Sequence, residues 1–229
     1  MNPLLKSITF GLLGNSLMLR PRLLKLAGSG RLTILNFHRV APADRSAYAP
    51  LSPDLFEDAV KFLKRSFALV TFADLADFRR TAKPPAIISF DDGYLDFAEH
   101  AAPILKRHGV RCNHNIIPAC VESGLPPLNV HMQDFIGKAP DKLLAEFDVP
   151  GFGAIGPGEH RERLGNRLSR FLKNMPVAEQ KSLARSLIPQ TERMDGFKPT
   201  AMMNRADVAS IAAGGAARWE RYWRGHRCR

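Results

Sequence analysis

Two adjacent carboxylates, Asp91 and Asp92, stand directly behind the apolar run 86–90 and directly before Gly93. Acids at the mouth of an apolar segment are costly unless something neutralises them, so a cation or a shared proton is expected beside the pair. Side chains alternate along a strand. Neighbouring residues therefore converge on one site only where the strand breaks, and Gly93 supplies a permissive backbone for that break. One carboxylate can then ligate a metal while the other takes a proton from the metal-bound water. Taken alone, an Asp-Asp-Gly triplet is more often a turn. The setting argues for a site, because in parallel α/β folds active sites gather at the carboxyl ends of strands.

Periodicity gives the elements that must hold the pair. Residues 32–37 read as a short buried strand ending in His38-Arg39-Val40, followed by a Pro/Ala loop. Ser52 caps a helix with Pro53 at its first position and Phe56, Val60, Leu63 and Phe67 on its apolar face. A strand over 69–72 and a short helix over 74–80 follow. Residues 86–90 form a strand, a helix runs from about 94 to 108 and stops at Gly109, and 110–117 is the next strand. A strand–helix–strand unit of this kind predicts a parallel sheet in an α/β fold. Beyond Pro118 the pattern predicts a loop over 122–127, helices near 141–147, 161–174 and 177–188, and a glycine-rich break over 151–158. Asn204, with Asp207 three residues on, caps a helix carrying Val208 and Ile211 that stops at Gly214-Gly215.

Ser89-Phe90-Asp91-Asp92-Gly93 resembles the Thr/Ser-Phe-Asp-Asp-Gly motif of the polysaccharide deacetylases, the NodB-like domain of carbohydrate esterase family four. Residues 35–40 (Leu-Asn-Phe-His-Arg-Val) are similar to the strand that precedes that motif in one branch of the family. Residues 102–110 (Ala-Pro-Ile-Leu-Lys-Arg-His-Gly-Val) are similar to the stretch after it. The resemblance covers about residues 31–125 well and the rest loosely. It implies a partial distorted (β/α) barrel of the glycoside hydrolase/deacetylase type, with a helical insertion at about 130–200 of a domain spanning 31–215. It also implies hydrolysis of N-acetyl groups on an amino-sugar polysaccharide or oligosaccharide, with a divalent metal, zinc being the usual one. By motif position Asp91 is the general base and Asp92 a metal ligand, and the metal would stabilise the oxyanion. His38, at a strand end like Asp91, is a tentative substrate or metal contact. A structural role for His38 weighs equally.

The match breaks at the second family motif, His-Ser/Thr-x-x-x-His, whose two histidines complete the metal site. The seven histidines lie at 38, 100, 108, 114, 131, 160 and 226, no two of them four or five apart. Residues 216–229 instead hold five Arg and both Trp, a basic tail unlike the family. The expectation is a truncated or frame-shifted reading of a longer deacetylase, weakly active or inactive, because zinc sites normally take three protein ligands.

The chain has 229 residues, 45% of them apolar, and a formal charge of +11 from 33 Lys plus Arg against 22 Asp plus Glu. That fits one domain with a substantial core and excludes disordered, collagen-like and coiled-coil classes. Three Cys exclude a disulfide framework and a zinc ribbon. No nucleic-acid signature accompanies the charge. Residues 1–30 read as an amphipathic basic helix, packed on the domain or in peripheral contact with a membrane. The uncharged run 7–19 is too short to span a bilayer, and no clear cleavage site follows it, so a cytoplasmic location or one peripheral to the inner membrane is expected. Asn113 and Asn115 share one strand face and read as either pocket-lining or sheet-bonding residues. His131 with Asp134 is a weak candidate ligand pair, Tyr94 and Asp96 read as helix-start residues, and Cys112 and Cys120 read as plain thiols. Two rival readings are a phosphoryl-transfer enzyme with a strand-end Asp and a non-catalytic carbohydrate- or membrane-binding module.

Overall fold

A computed structural model describes residues 16–78, 81–153, 155, 158–214 and 217–218. The expected basic helix over 1–30 is described only from α1 (Ser16–Gly28) onward, and of the basic tail only residues 217 and 218 are described. No described helix is long and apolar enough to cross a membrane.

The sheet is built around β3 (Pro85–Phe90), whose residues after Pro85 are all buried. β1 (Thr33–Phe37) pairs along one edge of β3, in register from Thr33–Ala86 to Phe37–Phe90. The other edge is shared. β2 (Ala68–Leu69) lies against the start of β3, opposite Pro85 and Ala86. β4 (Cys112–His114) lies against its end, opposite Ser89 and Phe90. The carbonyls of Ala86 and Phe90 point the same way and accept from the N–H groups of Val70 and Asn115. β5 (Ala217–Arg218) pairs with β4. Every pairing is parallel, so the α/β fold with a parallel sheet read from the sequence is the one observed. Among the described residues the five strands form an open sheet.

α2 (Pro53–Ser66) forms where capping and periodicity place it. Ser52 accepts from Leu55 N–H, Pro53 opens the first turn, and Phe56, Val60 and Leu63 are buried. The strand expected over 69–72 stops early, because Thr71 starts a 3₁₀ turn (Phe72–Asp77) instead. Thr71 N–H and Oγ1 both donate to Asp74 Oδ2, at 2.8 and 2.7 Å, so the capping box wins over the ladder. The helix expected from 94 is irregular at its start. Pro103 has no N–H to donate, and Ala102 N–H reaches back to Phe97, giving a π turn (Phe97–Ala101) before α3 (Ala102–Arg107).

Five helices then form a second layer: α4 (Pro118–Ser123), α5 (Leu128–Lys138), α6 (Asp141–Ala145), α7 (Arg161–Lys173) and α8 (Val177–Glu192). α4 has no counterpart in the sequence reading, and α5 lies mostly within the helical insertion expected at about 130–200, although no separate helix is read there. The reason for α5 is burial on all sides: residues 130–136 are buried consecutively, which leaves no amphipathic stripe to recognise. α9 (Arg205–Ala213) carries the expected cap, with Asn204 accepting from Ala206 and Asp207 N–H.

There are two main cores. One joins Ile88 and Phe90 to Phe56, Val60, Leu63, Phe97 and Leu105 on the helices that cover one face of the sheet. The other, among Met132, Phe135, Ile136, Leu164, Leu168 and Leu187, binds the helical layer together. Gly137 on α5 lets the loop after β1 press onto that layer, since a Cβ there would stand 2.1 Å from Arg45 O.

Candidate active site

Strand alternation sorts the carboxyl ends of β1, β3 and β4 into two faces. Phe37, Phe90 and His114 lie in one register row, on the face toward the helices. There Phe90 meets Phe37 at 5.5 Å, Phe56 at 5.5 Å and Phe97 at 4.8 Å between ring centroids, a rigid aromatic floor. The parallel ladder runs one residue further. Asp91 N–H donates to Phe37 O at 3.0 Å, and Asn115 N–H donates to Phe90 O at 2.8 Å. His38, Asp91 and Asn115 therefore form the next row, on the opposite face.

That row is a polar cluster. Asp91 Oδ2 accepts from Asn36 Nδ2 at 2.6 Å and Oδ1 accepts from Asn115 Nδ2 at 2.8 Å. His38 Nε2 stands 4.0 Å from Asp91 Oδ2. Asp92 takes a left-handed backbone, φ +74, and Gly93 follows at φ +89. Aspartate tolerates this region better than most residues, and at Gly93 a Cβ would stand 3.0 Å from Ile116 Cγ2. Neighbouring segments hold the turn in place. Gly93 N–H donates to Asp91 O, Ile117 N–H to Asp92 O, and Met203 N–H to Gly93 O. The reversal separates the two carboxylates, and Asp92 Oδ2 accepts from Tyr94 OH at 2.9 Å.

Asp92 lines a cavity of about 340 Å³ with His38, Tyr48 and Tyr94 on the sheet side and residues of α5 and α7 opposite. Asp91 is not among its lining residues; His38 connects the two, near Asp91 and on the cavity wall. Burial and then the Asp92 charge raise Tyr94 above the ordinary phenol range and push Tyr48 up to about 12, so both keep their hydroxyl protons. The same two causes push Cys120 up to about 11, and burial alone takes Cys112 to about 12, as plain thiols. A second concavity, of about 290 Å³, includes Lys64 and Arg111, but each is engaged already, with His108 O and with Asp74.

Behind the turn lies a buried ion network. Arg39 Nε donates to Asp96 Oδ2 at 3.0 Å, while its other nitrogens donate to Asp44 Oδ2 at 2.8 Å and Tyr48 O at 3.1 Å. Burial lifts the Asp96 carboxyl to about 6, more than Arg39 lowers it. One guanidinium is shared between two carboxylates, and Asp96 Oδ1 has no hydrogen-bond partner among the described residues. At Asp44 burial is outweighed by the Arg39 bond, and that carboxyl lies below its usual range.

The structure thus gathers His38 and Asp91 in one cluster and puts Asp92 on the adjoining cavity. The two asparagines part company. Asn115 holds Asp91, whereas Asn113 Oδ1 accepts from Phe72 N–H at 3.1 Å and is structural. His131 and Asp134 bond instead to Thr191 and Thr200. Tyr94 and Asp96, expected only to start a helix, hold Asp92 and Arg39. Asn36, two residues before His38 and so on the same strand face, joins the cluster without any signal of its own in the sequence. Among the described residues no group of three or more His, Cys, Asp or Glu could hold a metal ion. The donor set does not fit a complete metal centre.

No family model matches the chain, and no curated protein matches it. Solved structures do. IcaB from Ammonifex degensii is 16% identical with a TM-score of 0.41, over 82% of this chain and 51% of that one. The Streptococcus pyogenes deacetylase PplD, in complex with acetate, is 18% identical with a TM-score of 0.36, over 81% and 80%. A polysaccharide deacetylase from Bacillus cereus is 13% identical with a TM-score of 0.36, over 82% and 63%. The chain spans about half the length of IcaB.

Proposed function

We propose that this site is the carboxylate half of a glycan de-N-acetylase. The reaction is hydrolysis of the N-acetyl amide on an amino-sugar polysaccharide or oligosaccharide. The observation that carries the reading is the placement of the Ser-Phe-Asp-Asp-Gly segment. Asp91 stands at the carboxyl end of the central parallel strand with both oxygens held by side-chain amides, and the strained turn beside it directs Asp92 to a cavity. In this reading Asp91 acts as general base, taking a proton from water as the water oxygen adds to the acetyl carbon. The C–N bond then breaks as the proton taken by Asp91 passes to the leaving nitrogen, giving acetate and the free amine. A divalent metal, zinc by the resemblance, would take Asp92, but among the described residues no group of three His, Cys, Asp or Glu could hold it. The chain by itself is proposed to be weakly active or inactive.

Acetate release from acetylated chito-oligosaccharides, measured with metal content on the purified chain and its Asp91→Asn and Asp92→Ala variants, tests both statements. Less than one equivalent of metal and background turnover is expected. Stoichiometric metal with turnover that Asp91→Asn abolishes would overturn the proposed inactivity. Turnover indifferent to both substitutions would overturn the role of the carboxylates.

A further inference from the structure

The cavity at Asp92 has a second wall, made by α5 and α7. Gln133 is 3% exposed, yet its side-chain amide makes no hydrogen bond among the described residues. Its neighbours on α5 contrast with it: His131 is bonded to Thr191, and Asp134 to Thr200. The amide itself is not sealed off: it opens onto the cavity that the residue lines, where it is available to a ligand. Asn129 lies one turn earlier on the same face of α5 and donates to Ser169 Oγ on α7 at 3.4 Å. Asn166, three residues before Ser169, continues the wall. No carboxylate lines the cavity from the helical side. Lys173 is the wall's one charged group, and the rest of its polar lining is the amides of Asn129, Gln133 and Asn166 and the Ser169 hydroxyl, chemistry suited to sugar hydroxyls and to an amide substituent. Its volume lies at the small end of the ligand-pocket range of roughly 300–1,000 Å³, which suits one sugar unit.

We propose that α5 and α7 form the sugar-binding wall of this site. Gln133 is its specificity-determining residue, donating to the acetyl carbonyl and accepting from the N–H of one acetamido sugar. The proposal rests on the glycan reading above and concerns binding, so its test needs no turnover.

The uniformly ¹⁵N-labelled full chain is titrated with N-acetylated chito-oligosaccharide and, separately, with the fully deacetylated oligomer, following side-chain amide signals. A saturable shift of the Gln133 amide is expected, with the deacetylated oligomer binding at least tenfold more weakly. Gln133→Leu should weaken binding of the acetylated oligomer at least tenfold with an unchanged near-UV circular dichroism spectrum. Asn129→Ala, at a less buried position, keeps the test usable should Gln133→Leu misfold, and should weaken binding at least threefold. Binding that ignores both substitutions overturns the wall and leaves the glycan reading standing. Equal affinity for the deacetylated oligomer overturns the acetamide pairing. No binding of either oligomer at millimolar concentration overturns the glycan reading and the wall together.

Discussion

Asp96 sets a pH dependence that can be isolated by one substitution. Its carboxyl is 8% exposed and raised from the ordinary 3.8 to about 6 by burial, against the pull of Arg39. Between those two values the folded chain keeps a proton that the unfolded chain has lost. The unfolded state then binds fewer protons, so this group's contribution to stability falls as pH rises from about 4 to about 6 and is level above that. Roughly two pKa units at about 1.4 kcal/mol each give a ceiling near 3 kcal/mol. Asp44, Asp74 and Glu57, all lowered, act in the opposite sense at more acidic pH. The quantity to follow is therefore the difference between the wild-type chain and Asp96→Asn, which cannot titrate. Urea unfolding monitored by circular dichroism at pH 4, 5, 6 and 7 gives it directly, provided the slopes agree. Relative to Asp96→Asn, the wild type should lose up to about 3 kcal/mol between pH 4 and pH 7. A difference that is flat within about 1 kcal/mol would refute the reasoning. A difference that rises with pH would mean that pairing to Arg39 outweighs burial.

Three further outcomes follow from the site's scaffold. Gly93→Ala should cost about 1–3 kcal/mol in urea unfolding, because φ +89 disfavours any side chain and the new Cβ meets Ile116; a neutral result would mean the turn relaxes freely. Phe90→Ala should cost about 3–5 kcal/mol, since it empties the aromatic floor between Phe37, Phe56 and Phe97, and a loss under 1 kcal/mol would show that the floor collapses to fill the space. Tyr94→Phe should cost about 1–3 kcal/mol at pH 7 by leaving Asp92 without its buried donor, and equal stability of the two chains would show that water replaces the hydroxyl.

What could be read from the chain alone was local. Apolar runs of strand length separated by helical periods gave the parallel α/β class, Ser52 and Asn204 gave helix starts, and the acids behind Phe90 gave the candidate site. These signals lie within a few residues of their cause. Tertiary structure alone decided what crosses sequence distance. Strand register set His38, Asp91 and Asn115 in one row. Arg39 found Asp96 across 57 positions, and α5 was placed against the site with Gln133 facing it. A helix buried on all sides shows no amphipathic stripe, and an asparagine that holds a carboxylate looks, in sequence, like one that holds a backbone N–H. Asn113 and Asn115 are two residues apart on one face, and only the neighbours delivered by Phe72 and Asp91 separate structural support from a place in the site.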